Sequence, residues 1–391
     1  MADIKLSSAV KVAMIACFML FAIDALGIGW YIFGIASALM FLYLLIKRED
    51  LKLDSLFIWV ALLAMSNYII MFGYSNAGVI AKTIKYLVSP ICAYLLGTLL
   101  ASDRKKNDSI VKLYMIGLLP YFMHGVLDLI KFDGFSGYER EIADFWTGEM
   151  WKATLVCTFF AMTVPLLFIS FITKGIYKKI AYALFTVVAV YACIITASRT
   201  VIYIGIVVLL FQLILYLREC VKNKDMRAVR VVLGILVFTG VVGVIIALNM
   251  GALSQTLFFK RLFDSDMSDE PRIQLFLNII LNAWKYPFGN MPYFYSHNTW
   301  LDFLRESGWI TFFCFCVITV IAAKHVKRIY TDKALKYEHR LAVVAMMSAL
   351  YLDMFVEPIM DGAAMLFCLF FYFIGINSQF ANEKKRGELD V

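Results

Sequence analysis

Charged residues are scarce in this chain: of its 391 residues, 17% are charged and 62% are hydrophobic. A soluble globular protein is about 25% charged and about 45–50% apolar. The scarcity of charge therefore excludes an ordinary soluble domain. Apolar runs of about 20 residues recur instead, and each is long enough to cross a hydrocarbon core about 30 Å thick as an α-helix.

Familiar catalytic and nucleotide-binding motifs are also missing. The sequence contains no Gly-rich phosphate loop, no Gly-x-Ser-x-Gly elbow, no His-Glu-x-x-His, no paired-cysteine zinc pattern and no nucleic-acid module. None of the eight cysteines falls in a predicted aqueous loop on the outer side. We therefore predict no disulfide bond and no metal-thiolate site.

Twelve apolar runs predict twelve transmembrane helices within one integral membrane domain, residues 1–391. They cover residues 9–26, 28–47, 55–73, 79–100, 109–130, 152–173, 178–197, 200–217, 229–250, 303–323, 341–358 and 361–380. Clusters of Lys and Arg fall on the connections that follow the second, fourth and each later even-numbered span, and at the C-terminus. These clusters also account for the net charge of +8, so the charge does not indicate a nucleic-acid partner. By the positive-inside rule, we expect an all-α polytopic protein with both termini in the cytoplasm.

Two long connections are predicted on the outer side, at residues 131–151 and 251–302. The longer one contains a helical pattern: Pro271 suits a first helical turn, and the mostly apolar run from Arg272 to Trp284 ends before Pro287. We expect this short amphipathic helix to lie on the membrane interface. No internal repeat supports the inverted-repeat design of many transporters.

The next transmembrane helix has a start signal of its own. Thr299 and Asp302 form a Thr-x-x-Asp pattern, which predicts that this helix begins near Thr299. His297 and Asn298 would then lie at its outer mouth. A histidine there can accept a proton from a hydroxyl nucleophile, although a lone histidine is more often structural.

Positive charge on the predicted outer side is unexpected and calls for compensation, for which an anionic ligand such as a phosphate is one candidate. Arg199 is the sharpest case, because it lies between two apolar runs joined by almost no loop. Charge at membrane depth indicates function by default, and the alternative is an arginine that snorkels to lipid headgroups. Lys82 and Lys85 are three residues apart and are predicted to share a helix face. They too could be lysines that snorkel to lipid headgroups.

Acidic residues add a second candidate set. Asp353, Glu357 and Asp361 are spaced by four and share a face if their helix continues through Pro358. They could neutralise Arg199 or another base, or form a proton or cation path in a transporter. His124 and Asp128 are also four apart, and we expect a structural hydrogen bond between them.

Three pieces of this sequence resemble the O-antigen ligase and polymerase superfamily of bacterial envelopes. Ser198-Arg199-Thr200 is similar to the family's Ser-Arg-x-Gly, but the glycine is missing. Arg272 to Trp284, followed by Tyr286-Pro287-Phe288-Gly289, resembles the family's Arg…Trp…His-Pro-x-x-Gly stretch. His297-Asn298, nine residues and then Gly308 match the family's His-Asn-x9-Gly, although the family's next glycine is replaced here by Thr311.

The resemblance implies glycosyl transfer at the periplasmic face of the bacterial inner membrane, without a metal or other cofactor. The implied donor is a glycan on undecaprenyl diphosphate and the acceptor is a sugar hydroxyl; membrane lipid and a chain-length regulator protein are the other implied partners. His297 would orient or deprotonate the acceptor, while Arg272 and Arg199 would hold the diphosphate and stabilise the leaving group. Further substrate-binding candidates are Arg261, Lys82, Lys85 and Asn298.

Several functions remain open at this stage. The stretch His-Asn-Thr-Trp-Leu-Asp at 297–302 is more similar to polymerases, which join lipid-linked repeats, than to ligases, which transfer the glycan to lipid A-core. A transporter or lipid-linked sugar flippase would depend on Asp353 and Glu357, and His297 would be dispensable. A non-catalytic scaffold would tolerate the loss of both His297 and Arg272. Aromatic side chains could stack on sugar rings or form an interfacial belt: Trp146, Trp151, Trp284, Tyr293, Tyr295 and Trp300.

Overall fold

The computed structural model describes residues 8–23, 29–46, 54–74, 78–102, 106–134, 140–224, 254–263, 271–293, 296–357, 359–362 and 364–389, with scattered positions between 231 and 251. Within these ranges the chain is almost entirely helical, and eight helices are long and apolar enough to cross a membrane. The prediction of an all-α, multi-pass membrane protein is confirmed. Further apolar helices are shorter.

The helices are numbered here in chain order. They are α1 (Ser8–Ile23), α2 (Gly29–Ile46), α3 (Ser55–Tyr74), α4 (Val79–Lys82), α5 (Ser89–Ser102), α6 (Lys106–Ile130), α7 (Ala153–Thr158), α8 (Leu166–Ile172), α9 (Ile176–Ile195), α10 (Thr200–Lys222), α11 (Leu257–Phe263), α12 (Pro271–Asn282), α13 (Thr299–Thr331), α14 (Tyr337–Val356), α15 (Ile359–Gly362) and α16 (Ala364–Leu389). A π-helical turn, Thr83–Val88, joins α4 to α5, and a 3₁₀ turn, Ala283–Lys285, follows α12.

Eight predicted spans coincide with the eight long apolar helices, and the first two apolar runs form α1 and α2. The sixth predicted span, residues 152–173, is broken: α7 and α8 are separated by turns at residues 159–165. Pro165 accounts for the end of the break, because it has no N–H to donate. The turns before it are closed by shorter-range hydrogen bonds, such as that from the N–H of Phe160 to the carbonyl of Cys157 at 2.9 Å. The ninth predicted span, residues 229–250, lies mostly outside the described residues.

The core of the bundle is a close pairing of α5 with α16. A Cβ atom on Gly97 would lie 2.1 Å from the carbonyl oxygen of Tyr372, and one on Gly375 would lie 2.2 Å from that of Tyr94. Glycine at both positions lets the two backbones touch, as small residues do between membrane helices. Asp54 joins one end of this pair to α3, since it accepts a hydrogen bond from the Tyr94 hydroxyl at 2.7 Å.

A small antiparallel hairpin, β1 (Glu141–Ala143) and β2 (Met150–Lys152), follows α6 within the first predicted outer loop. A residue of this hairpin, and not the predicted Asp128, is the nearest carboxylate to His124. The Nε2 atom of His124 lies 2.7 Å from the carboxylate of Asp144, in the hairpin turn, but 3.7 Å from that of Asp128. The predicted His124–Asp128 hydrogen bond is therefore wrong, because tertiary packing offers the imidazole a nearer carboxylate.

Candidate functional site

The segment from Tyr286 to Met291 is fastened to the beginning of α13 by backbone contacts. Gly308 interrupts α13 with a φ of 75°, and the N–H of the next residue, Trp309, donates to the carbonyl of Pro287 at 3.1 Å. A Cβ atom on Gly308 would lie 2.3 Å from that same carbonyl oxygen, and one on Gly289 would lie 2.1 Å from the carbonyl oxygen of Glu306. The glycines of two separate motif pieces thus allow these two stretches of backbone to touch.

Helix α13 begins at Thr299, where its start was predicted, but its cap differs from the predicted one. Asn298 is the N-cap, and its Oδ1 accepts the N–H of Leu301 at 3.1 Å. Asp302 is fully buried and accepts a hydrogen bond from the N–H of Ser296 at 2.7 Å instead of closing a capping box with Thr299. Loop and helix therefore hold the backbone on both sides of His297.

His297 itself has a φ of 56°, in the left-handed region. A residue with a Cβ atom seldom adopts this conformation, and such strain concentrates at functional sites. The side chain of His297 is 26% exposed, so the imidazole reaches the surface of the site while its backbone is held from both directions.

The end of α14 is the meeting point of three distant parts of the chain; we call residues 355–357 the α14 terminus. The Nδ2 atom of Asn298 donates to the carbonyl of Phe355 at 3.1 Å. The guanidinium of Arg272, at the start of α12, donates to the carbonyl of Val356 at 3.2 Å. Carbonyls at the end of a helix have no partner within the helix, so these side chains cap α14 while α14 positions them.

Glu357 connects the first motif piece, at Thr200, with the third, at His297. Its Oε1 accepts a hydrogen bond from the hydroxyl of Thr200 at 3.0 Å, and its Oε2 lies 3.8 Å from Nδ1 of His297. The Glu357 side chain is only 1% exposed. A buried carboxylate beside a partly exposed imidazole can set the orientation of the ring and stabilise the imidazolium when the ring accepts a proton.

The three acidic residues do not share one continuous helix. Helix α14 ends at Val356 and Glu357 is extended, so the condition for a shared face, a helix that continues through Pro358, is not met. Pro358 explains this as well, because its ring disfavours helical geometry in the residue before it. Asp353 remains one turn from Glu357 and fully buried, with no hydrogen bond to its carboxylate oxygens from the described residues. The side chain of Asp361 lies outside the described residues.

Arg199 lies beside this site at the N-cap of α10, half-buried and adjacent to Thr200. The turn before it is tight: Ala197 has a φ of 50°. A second arginine approaches this turn, since Arg140 donates to the carbonyl of Thr196 at 3.4 Å. Arg140 was not among the residues predicted from the sequence, although it lies in a predicted outer loop, as the predicted cations do.

The weaker cation candidates are not brought to the α14 terminus by the described contacts. Lys82 is buried and donates to the carbonyl of Phe72 at 3.0 Å, and Lys85 lies over the ring of Tyr86 in the π-helical turn. The π-helical turn replaces the regular α-helical spacing on which the prediction of a shared face relied. Arg261 belongs to α11, and its side chain lies outside the described residues.

The aromatic candidates divide into two groups. Trp300 packs within the bundle against Phe315 and Tyr351, so its ring is engaged by protein. Trp284 is 79% exposed beside Trp309, and Trp146 is 40% exposed. Only the exposed rings offer a free face of the kind that sugar stacking or the membrane interface requires; Tyr295 lies outside the described residues.

No protein-family model matches this chain, and no curated protein matches it. The geometry of the site is therefore the basis for inferring a function. That geometry brings together an imidazole, a buried carboxylate and the guanidinium of Arg272, while Arg199 is the residue before Thr200. The hydrogen bond between Thr200 and Glu357 links two residues that are 157 positions apart.

Proposed function

We propose that this protein is a membrane-embedded glycosyltransferase that polymerises lipid-linked oligosaccharide repeats at the outer face of a bacterial inner membrane. One observation carries the proposal: the α14 terminus contacts Thr200, Arg272 and His297, one residue from each of the three motif pieces. Residues that act on the same reacting atoms must surround one place in the fold, whereas unrelated structural residues need not.

The proposed reaction transfers the growing glycan from undecaprenyl diphosphate to a sugar hydroxyl of another lipid-linked repeat. The hydroxyl oxygen attacks the anomeric carbon and a new glycosidic C–O bond forms. The bond between that carbon and the diphosphate oxygen breaks, and undecaprenyl diphosphate leaves with the electron pair. His297 accepts the proton of the attacking hydroxyl, and Glu357 holds the ring and balances the charge that the ring acquires.

The arginines serve the leaving group in this proposal. A guanidinium has five N–H donors in a planar fork that matches phosphate oxygens. One hydrogen bond to Val356 fixes the direction of Arg272 and leaves donors for a diphosphate. Arg199 precedes Thr200 at the beginning of α10, and in this proposal its guanidinium would bind the same diphosphate. Cations held in place before the reaction stabilise the negative charge that develops on the departing diphosphate.

The surface of α12 suits a lipid-borne donor. Exposed apolar side chains line this helix and the turn after it: Ile273, Leu277, Ile280, Leu281 and Trp284. The opposite side packs on α13 through Ile279 and Ala283. A helix with such a face lies in the membrane interface, and Arg272 at its beginning would there reach the headgroup level, where the diphosphate of the donor resides.

The decisive experiment is reconstitution of the purified protein with a lipid-linked repeat unit as the substrate. We expect a ladder of longer glycans without any lipid A-core acceptor. His297→Gln and Arg272→Ala should each abolish the ladder, while His339→Gln, at the opposite end of α14, should leave it unchanged. Product formed only when lipid A-core is present would identify a ligase instead.

The experiment also separates transfer from transport. A flippase or transporter would move the labelled lipid across the vesicle membrane without lengthening its glycan. Full activity in both His297→Gln and Arg272→Ala would contradict the proposed mechanism whatever product forms. Because Glu357 contacts His297 here, it no longer separates these functions, and Asp353 becomes the informative acidic residue.

A further inference from the structure

A second polar cluster lies in the described chain, and none of its members contacts the α14 terminus. His124 and Asp128 lie one turn apart on α6, and Asp144 lies in the turn of the β1–β2 hairpin. All three are at most 3% exposed, and one nitrogen or oxygen atom from each lies within 4.8 Å of the other two. Three potential ligand atoms are therefore gathered in a buried place.

The hydrogen bonds of His124 determine which ring nitrogen carries a proton. Its Nδ1 atom lies 3.1 Å from the carbonyl oxygen of Ala22 on α1, and a carbonyl oxygen only accepts, so Nδ1 carries a hydrogen. In a neutral ring, Nε2 then presents a lone pair. Nε2 faces the carboxylates of Asp144 at 2.7 Å and Asp128 at 3.7 Å. Three electron-rich atoms converge, and only a proton or a cation between them makes that arrangement favourable.

Asp128 distinguishes the proton from the cation. Its Oδ1 accepts the N–H of Phe145 at 2.8 Å, but its Oδ2 is buried and accepts no hydrogen bond from the described residues. A proton on Nε2 would form a hydrogen bond to Asp144 but would leave Oδ2 of Asp128 without a partner among the described residues. A buried charged oxygen without a hydrogen bond is energetically costly. A divalent cation would bind all three groups and neutralise both carboxylates. Lys131 lies nearby, but it is exposed and donates to the carbonyl of Phe145.

We propose that His124, Asp128 and Asp144 bind a divalent transition-metal ion, with Zn²⁺ as the best match. Imidazole nitrogen and carboxylate oxygen are common zinc ligands, and a fourth position is left for water. The remaining contacts are those of an outer ligand shell. The Nδ1–H of His124 is held by a backbone carbonyl, and the second oxygen of Asp144 accepts the N–H groups of Trp146 and Thr147.

This ion would connect three parts of the chain: α6, the hairpin turn and, through the imidazole, α1. It lies apart from the proposed transfer site, so it carries no step of that reaction. Its role is to hold the hairpin against the bundle. Failure of the metal proposal would not affect the glycosyltransferase proposal, and the reverse is also true.

The test is metal analysis of the purified protein in detergent. After treatment with a chelator, the protein is dialysed against ZnCl₂ and then against metal-free buffer, and bound zinc is measured by mass spectrometry. We expect about one equivalent per chain for the wild type and a loss of at least about tenfold in affinity for Asp128→Asn. Asparagine keeps an oxygen for the N–H of Phe145, so this variant preserves the fold.

His339→Gln is the matched control, because it removes another buried histidine, and it should bind zinc as the wild type does. X-ray absorption should show nitrogen and oxygen ligands at about 2.0–2.2 Å. A wild type that retains no zinc would overturn the proposal, as would equal retention in Asp128→Asn. Sulfur ligands at about 2.3 Å would assign the metal to the cysteines and overturn it too.

Discussion

Nδ1 of His297 lies 3.8 Å from Oε2 of Glu357, while the other carboxylate oxygen of Glu357 accepts a hydrogen bond from Thr200. The carboxylate thus bridges the mouth of α13 and the beginning of α10. Arg272 is added by its bond to the carbonyl of Val356, one residue before Glu357. The end of α14 therefore contacts one residue from each of the three sequence motifs and brings these residues close together.

Glu357→Gln tests the bridge directly. The amide oxygen of glutamine can still accept the hydrogen bond from Thr200, so the fold should persist, but the charge that faces His297 is removed. We expect kcat for polymerisation to fall by about 10–100-fold with little change in KM, as for other residues that orient a reacting group. The pH dependence of kcat/KM should also shift, and a purely structural role would not produce that shift.

Glu338→Gln is the control for this variant, because Glu338 lies in the first turn of the same helix, at its opposite end. Its kinetics and pH profile should match those of the wild type. An unchanged pH profile in Glu357→Gln would exclude the proposed coupling to His297.

Arg272→Lys tests recognition of the diphosphate. Lysine keeps the positive charge but lacks the planar fork, so it can neither bind two phosphate oxygens side by side nor bond to Val356 in the same way. We expect KM for the lipid-linked donor to rise by about tenfold or more, a loss of about 1.4 kcal/mol in binding. Lys285→Ala, also in the segment between α11 and α13, should leave KM unchanged. An unchanged KM in Arg272→Lys, or an equal rise in Lys285→Ala, would contradict specific recognition of the diphosphate by the guanidinium of Arg272.

Gly308→Ala tests the contact between the motif segments. The new methyl group would face the carbonyl oxygen of Pro287 at 2.3 Å, at a residue whose φ is 75°. We expect a destabilisation of about 1–3 kcal/mol from the backbone strain, and more if the contact opens. Thermal unfolding in detergent measures it. Gly73→Ala in α3 is the control, since no described atom outside its own stretch of helix lies within 4 Å of its added Cβ atom, and it should not lower Tm.

Asp353→Asn separates the proposed transferase from a transporter. Asp353 is buried next to Glu357, and no described residue donates a hydrogen bond to its carboxylate. The neutral amide should keep polymerase activity near that of the wild type, because Asp353 does not contact the imidazole or the arginines in this mechanism. Loss of activity in Asp353→Asn together with full activity in His297→Gln would favour a proton or cation path.

Composition and periodicity sufficed to predict the membrane class, eight of the long helices and the amphipathic helix at α12, because burial in lipid imposes a local pattern of about 20 apolar residues on each span. They also marked His297, Arg272 and Arg199 as unusual, because charged or titratable side chains near a membrane stand out against an apolar background.

Packing decided the rest. The sequence by itself made Glu357 one of three evenly spaced acids, and it marked Gly308 as a motif glycine without showing what it contacts. It also paired His124 with Asp128, since that pair is near in sequence. Only the tertiary structure placed Glu357 beside His297 and Thr200, Gly308 against Pro287, and Asp144 beside His124. Such pairs depend on how helices and loops pack against each other. The periodicity of one helix does not determine which residue of another segment contacts it.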